Sequence, residues 1–105
     1  MTRTILLTIG ALMAAPAAAQ DYTDADGIRY TLNCSADGYV LSPENSGTVL
    51  YLGKSCDALH GEHGAGKWCW ANGGFVAELA DDRVSFPRQE LVCDPAPDFA
   101  ESCRC

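Results

Sequence analysis

Six cysteines constrain the fold of this chain more than any other feature of its sequence. The chain has 105 residues, enough for one small domain with a limited hydrophobic core. An even number of cysteines in a short exported chain predicts disulfides that supply the stability such a core lacks. Six cysteines can pair in many ways, and the residues alone leave the pairing open. They are Cys34, Cys56, Cys69, Cys93, Cys103 and Cys105.

Residues 1–19 have the three parts of a secretory signal peptide. Arg3 supplies a basic start, residues 5–15 are mostly apolar, and the small residues Ala17 and Ala19 precede the expected cleavage site. The apolar stretch is shorter than the roughly 20 residues that span a bilayer, so we expect no retained membrane anchor. No cysteine directly follows the cleavage site to accept a lipid. We therefore expect a periplasmic or secreted protein.

The mature chain is strongly acidic. Loss of Arg3 with the signal peptide leaves 14 acidic against 6 basic residues, a formal charge of −8. Such a chain lacks the positive charge that neutralises nucleic-acid phosphates or anionic lipid headgroups. We expect no nucleic-acid partner, and the charge favours a cationic protein instead.

Short alternating segments predict an all-β fold. Residues 28–34 alternate between apolar and polar side chains, and Asp37-Gly38 provides a hairpin turn before residues 39–41. Further strands are expected at residues 48–52, 67–71, 75–79, 84–86 and 89–93. These short strands predict a small antiparallel β-barrel or meander stapled by disulfides. We expect the core to contain Tyr30, Leu32, Leu50, Leu52, Trp68, Trp70, Phe75 and Leu91.

Three segments lack this alternation. Residues 20–27 predict a flexible N-terminal lead, ahead of a barrel domain at 28–93 and a cysteine-containing tail at 94–105. Residues 54–66 contain several glycines and predict a loop with one helical turn capped by Ser55.

Two histidines in that loop raise the question of a metal site. His60, Glu62 and His63, with Asp57 upstream, are residue types that bind zinc or copper. Their spacing matches no metal motif, and the neighbouring glycines predict a mobile, exposed loop. We therefore expect solvated histidines, with no metal and no cofactor.

No motif in the chain supports an enzyme. There is no Cys-x-x-Cys redox motif and no Gly-x-Ser-x-Gly turn around a nucleophile, so we expect a non-enzymatic protein. We interpret the Cys-Arg-Cys at residues 103–105 as two half-cystines that pin the tail, and residues 81–82 as a solvated turn. Trp68 and Trp70 resemble a sugar-stacking pair, but alternate aromatic residues on a strand are usually core residues.

The order of several short motifs resembles the MliC/PliC inhibitors of c-type lysozyme. The motifs are Tyr-Thr-Leu-Asn-Cys at 30–34, Asp-Gly at 37–38, an apolar strand at 49–52, a serine-containing loop at 55–58, Trp-Ala-Asn-Gly at 70–73 leading into Ala-Glu-Leu at 77–79, and Cys93. The resemblance covers residues 28–93. It implies a small exported antiparallel β-barrel in which Cys34 pairs with Cys93.

The same resemblance implies how such a protein acts. In the family, a serine-rich loop and a lysine at a strand end reach the catalytic carboxylates of the lysozyme. Here Ser55 begins the corresponding loop, Cys-Asp-Ala-Leu at 56–59 stands in place of the family's Ser-Gly-x-x-Tyr, and Asn72 replaces the lysine. Asparagine donates a hydrogen bond without the charge that makes such a bond roughly twice as strong. The expected binding residues are Ser55, Asp57, Asn72 and Gly73.

Two functional hypotheses follow. The leading one is a monomeric exported protein that binds a cationic c-type lysozyme by inserting the 55–66 loop or the 72–73 turn into its cleft. The alternative is a non-enzymatic periplasmic structural or binding module with a different partner. Inhibition of lysozyme and capture of another envelope protein would distinguish them.

Overall fold

An antiparallel sheet of eight strands forms the body of the protein. The computed structural model describes residues 21–45, 47–71, 73–99 and 102–105, and these residues contain no helix. Each strand pairs with the next one in the chain, so the sheet is a simple meander. The strands are β1 (Asp21–Thr23), β2 (Arg29–Ser35), β3 (Gly38–Pro43), β4 (Leu50–Gly53), β5 (Asp57–His60), β6 (Gly64–Ala71), β7 (Gly74–Glu78) and β8 (Arg83–Phe86). The predicted all-β class is confirmed.

The meander curls into a nearly closed barrel, and polar contacts bridge the gap between β1 and β8. The backbone N–H of Ala25 donates to the carbonyl oxygen of Ser85 at 2.8 Å. The side-chain amide of Gln89 accepts from the backbone N–H of Thr23 at 2.9 Å and donates to its carbonyl oxygen at 2.7 Å. One side chain thus substitutes for the pair of backbone bonds that a ninth strand would make.

Both ends of the sheet differ from the sequence prediction. The segment predicted as a flexible lead contains β1, whose Tyr22 is only 2% exposed and donates a hydrogen bond to the carbonyl oxygen of Glu90 at 2.8 Å. Residues 89–93, predicted as the last strand, are not a strand. They lie beside β1 and contact it mainly through side chains. The signal-peptide prediction at 1–19 lies outside the described residues.

Residues 54–66 form a hairpin rather than the predicted loop with a helical turn. β5 pairs with the first half of β6, and Cys56 immediately before it takes a left-handed backbone conformation with φ of 66°. Gly66 allows this half of β6 to lie close to β7, because a Cβ at Gly66 would collide with the backbone carbonyl of Glu78. The glycines that suggested a loop therefore permit close strand packing.

Aromatic and leucine side chains fill the barrel. Trp68 is 1% exposed, and its indole N–H donates to the carbonyl oxygen of Gly53 at 2.8 Å. Phe75 and Phe86 stack with their ring centroids 4.5 Å apart. Of the predicted core, Trp70 and Leu32 are only partly buried, while the other six residues are buried. The prediction missed the buried residues Tyr22, Tyr39, Leu41, Phe86 and Phe99.

Three disulfides include all six cysteines. They join Cys34 to Cys93, Cys56 to Cys103 and Cys69 to Cys105, with Cα atoms 6.1, 5.4 and 5.2 Å apart. The first is the pairing that the family resemblance implies. Three disulfides in so small a domain indicate that it folds in an oxidising compartment. No helix that is long and apolar enough to cross a membrane occurs among the residues that the structure describes.

The last residues of the tail add a short strand-like segment to β6. β5 pairs with β6 only as far as Lys67, and beyond this point the tail lies beside β6 at Trp70. The backbone N–H of Trp70 donates to the carbonyl oxygen of Cys103 at 2.7 Å, and that of Cys105 donates to the carbonyl oxygen of Trp70 at 3.3 Å. Two disulfides and this parallel bridge pin the tail, as the Cys-Arg-Cys motif predicted.

Candidate functional site

The turns of the meander lie alternately at two ends of the barrel. We call the end with the turns after β2, β4, β6 and β8 the loop end, and the end with the turns after β1, β3, β5 and β7 the acidic end. The four turns of the acidic end contain Asp24, Asp26, Glu44, Glu62, Asp81 and Asp82 and no lysine or arginine. The turns of the loop end include the cations Lys54 and Arg88 and the carboxylate of Asp37. The negative charge of the mature chain is therefore unevenly distributed.

The structure places Ser55, Asp57 and Gly73, three of the four predicted binding residues, at the loop end. Ser55 is exposed in the turn after β4, and Asp57 is the exposed first residue of β5. Gly73 is exposed in the turn after β6 and has a φ of +73°, which suits a tight hairpin turn. Asn72 lies outside the described residues. Antiparallel pairing alone places these two turns at the same end, although they are separated in sequence.

The cross-linked tail runs beside both turns. Cys56, in the turn after β4, is bonded to Cys103, which is 2% exposed. Cys105 is bonded to Cys69, close to the turn after β6. The loop end is therefore held by two disulfides, and its backbone is more constrained than that of an ordinary pair of surface turns.

Lys54 adds a positive charge directly beside Ser55. Its ammonium group lies 3.6 Å from a carboxylate oxygen of Asp37, and the two side chains are 58% and 78% exposed. Such an exposed ion pair contributes little to stability, so a partner can take Lys54 from Asp37 at a cost of less than about 1 kcal/mol. Sequence reasoning did not select Lys54, because its position next to Ser55 in a single turn becomes significant only once the 54–66 segment is a hairpin.

The carboxylate of Asp57 faces its own hairpin and not the open turn. It lies over the backbone of Gly53, where a Cβ would collide with it. Its cross-strand neighbour on β6 is Lys67. Asp57 therefore shapes the turn and is poorly placed to bind a partner's carboxylate, which it would repel.

A groove of about 490 Å³ opens at the loop end between the turn after β2 and the tail. One wall contains Ser35 and Lys54, and the opposite wall is the segment 94–99, which includes the carboxylates Asp94 and Asp98. Phe99 closes the floor and packs its ring edge against Tyr39, with the centroids 5.3 Å apart. The groove is a concave surface adjoining the Ser55 turn.

The histidines lie at the acidic end and are not simply solvated, so that prediction was wrong. His60 is an inward-facing residue of β5, only 7% exposed. Its Nδ1 accepts hydrogen bonds from the backbone N–H groups of Glu62 at 3.1 Å and His63 at 3.2 Å. Burial lowers the pKa of His60, and the nearby His63 lowers it further. The two imidazole rings stack with centroids 4.6 Å apart.

His63 lies between two carboxylates that sequence reasoning interpreted as a solvated turn. Its Nδ1 is 2.8 Å from Oδ1 of Asp81, and its Nε2 is 3.4 Å from Oδ2 of Asp82. No local pattern links these residues, because they occupy two separate turns that only the meander brings to one end. The acidic end is thus a second constellation of functional groups, well separated along the strands from the Ser55 turn.

Comparisons with known proteins found no matching family model, no matching curated protein and no matching solved structure.

Proposed function

We propose that this protein is an exported, periplasmic inhibitor of c-type lysozyme that inserts its loop end into the catalytic cleft. The observation that carries the proposal is that the Ser55 turn and the Gly73 turn are both exposed at the same end of a disulfide-bonded β-barrel, with the cross-linked tail beside them. The Cys34–Cys93 disulfide and the motif order of the resembling family support it.

The chemistry of the loop end suits an acidic cleft. Lysozymes cleave their substrate with two carboxyl groups. The hydroxyl of Ser55 and the ammonium group of Lys54 are both hydrogen-bond donors, and they lie in one exposed turn. Asn72 stands in the sequence where the resembling family has a lysine, and it carries no charge. Lys54 supplies a positive charge from the Ser55 turn instead. A charge-assisted hydrogen bond contributes about 1.5–3 kcal/mol, which corresponds to roughly a tenfold or larger change in affinity.

Rigidity of the loop end favours binding. Two disulfides connect the tail to this end, at Cys56 and at Cys69. A turn that is already ordered loses less conformational entropy when it enters a cleft, so more of the contact energy appears as affinity.

The overall charge acts at longer range. A chain with a net charge of −8 attracts a cationic lysozyme and raises the rate of association, and salt screens this attraction. The local donors at the loop end then determine which part of the lysozyme is bound. Salt should therefore slow association more than it speeds dissociation.

Lysis of a bacterial cell-wall suspension by c-type lysozyme, followed by turbidity, tests the proposal. An equimolar excess of the mature, oxidised protein should suppress lysis at low and at moderate salt. Ser55→Ala and Lys54→Ala should each weaken inhibition about tenfold. Asn45→Ala is the matched control, because Asn45 is an exposed polar turn residue at the acidic end.

Unchanged lysis at both salt concentrations would dispose of the proposal. Equal loss of inhibition in Asn45→Ala and Ser55→Ala would remove the loop end as the binding site. Capture of a different envelope protein, with no lysozyme retained, would instead favour a periplasmic binding module.

A further inference from the structure

We propose that the acidic end binds one divalent transition-metal ion, of which Zn²⁺ is the best probe. The ligands are His60, Glu62 and His63, and Asp82 lies beside them as a further oxygen donor. This site is independent of the proposed lysozyme contact, because it lies at the opposite end of the barrel.

The donor atoms lie near one another. His60, Glu62 and His63 each offer a ligand atom within 4.8 Å of the others, and rotation of the two stacked imidazole rings would bring their nitrogens onto one ion. Two imidazoles with carboxylates form a donor set that suits zinc, whereas carboxylates alone would suit calcium or magnesium. All six cysteines are in disulfides, so no thiolate competes for the ion.

Hydrogen bonding prepares His63 for a metal. Its Nδ1 is 2.8 Å from a carboxylate oxygen of Asp81, so in the neutral ring the proton lies on Nδ1 and the lone pair on Nε2. A carboxylate that holds the far nitrogen of a metal-binding histidine fixes the tautomer and orientation of the ring. Nε2 then faces a carboxylate oxygen of Asp82 at 3.4 Å. A metal cation between these two atoms would be bonded by both of them.

The spacing of these two atoms also fits a metal. Two ligands bound at about 2.0–2.1 Å to a tetrahedral zinc ion lie roughly 3.3 Å apart. The His63–Asp82 separation of 3.4 Å is close to this value.

The surrounding cavity favours a cation. It has a volume of about 110 Å³, and its lining includes Asp24, Asp26, Glu62 and Asp82 together with both histidines. No lysine or arginine of the described part of the chain lines it. Asp24 already accepts hydrogen bonds from the Tyr30 hydroxyl and from backbone N–H groups, so it contributes charge and not a ligand atom.

Binding has a structural consequence at His60. Its Nδ1 now accepts two backbone hydrogen bonds, from Glu62 and His63. A metal bond to this ring competes with them, whichever nitrogen it uses, because metal bonding at Nε2 requires the proton to move to Nδ1. The amide signals of the 61–63 turn should therefore shift when the metal binds.

Titration of the mature, oxidised, metal-stripped protein with ZnCl₂ tests the site, with heat and amide NMR shifts recorded together. We expect one Zn²⁺ per chain and amide shifts at Glu62 and His63. His63→Ala and Glu62→Gln should weaken binding at least tenfold, and Asp81→Asn, which leaves every ligand in place, by about 10-fold. Asp37→Asn is the matched control, because it removes an exposed carboxylate at the loop end and should leave the affinity within twofold.

Three results would overturn the proposal. They are an absence of saturable binding to the wild type, unchanged affinity in His63→Ala, and a loss in Asp37→Asn as large as in His63→Ala. If His63→Ala does not retain the three disulfides and the wild-type circular dichroism, Glu62→Gln decides the outcome, because Glu62 is exposed and its amide substitute preserves its size. Beyond these three, displacement of Zn²⁺ by an equal concentration of Ca²⁺ is a fourth result that would refute imidazole ligation.

Discussion

Replacing Cys56 and Cys103 with alanine removes the disulfide that ties the tail to the turn after β4. Alanine is the appropriate substitute because Cys103 is only 2% exposed, and serine would bury an additional hydroxyl there. The variant keeps the other two disulfides, so it isolates the contribution of this one. Non-reducing analysis of the purified variant must first show that Cys34–Cys93 and Cys69–Cys105 have formed.

The expected loss of stability follows from the size of the closed loop. The two cysteines are 47 residues apart in sequence, but the retained Cys69–Cys105 disulfide shortens the path between them to about 15 residues. The chain-entropy relation for a loop of this length gives about 3 kcal/mol. Small domains have a total stability of about 5–15 kcal/mol, so this loss is a substantial fraction of it. The melting temperature should fall by roughly 15 °C.

Guanidinium unfolding followed by tryptophan fluorescence measures this loss. Trp68 and Trp70 lie in β6, next to the tail, and report directly on its release. The free energy of unfolding should fall more steeply with guanidinium concentration, because the unfolded chain is less compact without the disulfide. Ser102→Ala is the matched control: it changes an exposed tail residue and should alter stability by less than about 0.5 kcal/mol. A loss below about 1 kcal/mol in the double-alanine variant, with the remaining disulfides intact, would refute the reasoning.

The remaining predictions concern the core and the acidic end. Gly66→Ala should destabilise the fold by about 1–3 kcal/mol in thermal unfolding, because its Cβ collides with the backbone of β7. Gly47→Ala is the control: its Cβ meets open space, so the substitution should be neutral or stabilising. Equal effects of the two substitutions would contradict the close packing of β6 on β7. Tyr39→Phe should preserve the free energy of unfolding or raise it by about 1 kcal/mol, because the hydroxyl is buried without a partner among the described residues. Tyr30→Phe should lower it by about 1–3 kcal/mol, because the buried carboxylate of Asp24 loses a hydrogen-bond donor. A larger loss in Tyr39→Phe than in Tyr30→Phe would be evidence against this hydrogen bond. Burial lowers the pKa of His60, so the unfolded chain binds a proton here more readily than the folded chain, and stability should fall as the pH drops below about 6.5. His60→Gln should flatten the dependence of stability on pH between about pH 7.5 and 5. An equally steep dependence in His60→Gln would count against a buried neutral imidazole.

Local patterns in the sequence predict most strands of the barrel. The alternation at 28–34 and the turns at 37–38 and 72–74 correspond to β2, β3, β6 and β7 as expected. Polar and apolar residues alternate there because one face of each strand is buried, so the pattern reflects the fold directly. The number and spacing of the cysteines likewise predict that the tail cysteines form disulfides.

Other features depend on contacts that no local pattern contains. β1 has a polar composition, and it forms because Tyr22 reaches the core and the backbone pairs with β2. Residues 89–93 look like a strand, but β1 meets them mainly through side chains, as Gln89 shows. The link between His63 and Asp81 spans two turns and becomes visible only when the meander is assembled.

Identification of the disulfides by mass spectrometry of non-reduced peptides tests the central claim most directly. That claim is that three cross-links close a β-barrel and hold its tail against the two candidate binding turns. Trypsin cleaves after Arg104, and a protease that cleaves before Asp98 separates Cys93 from Cys103, so every pairing can be distinguished. The account predicts only the links Cys34–Cys93, Cys56–Cys103 and Cys69–Cys105. Native protein with free thiols, or with a link between Cys56 and Cys69, would contradict it.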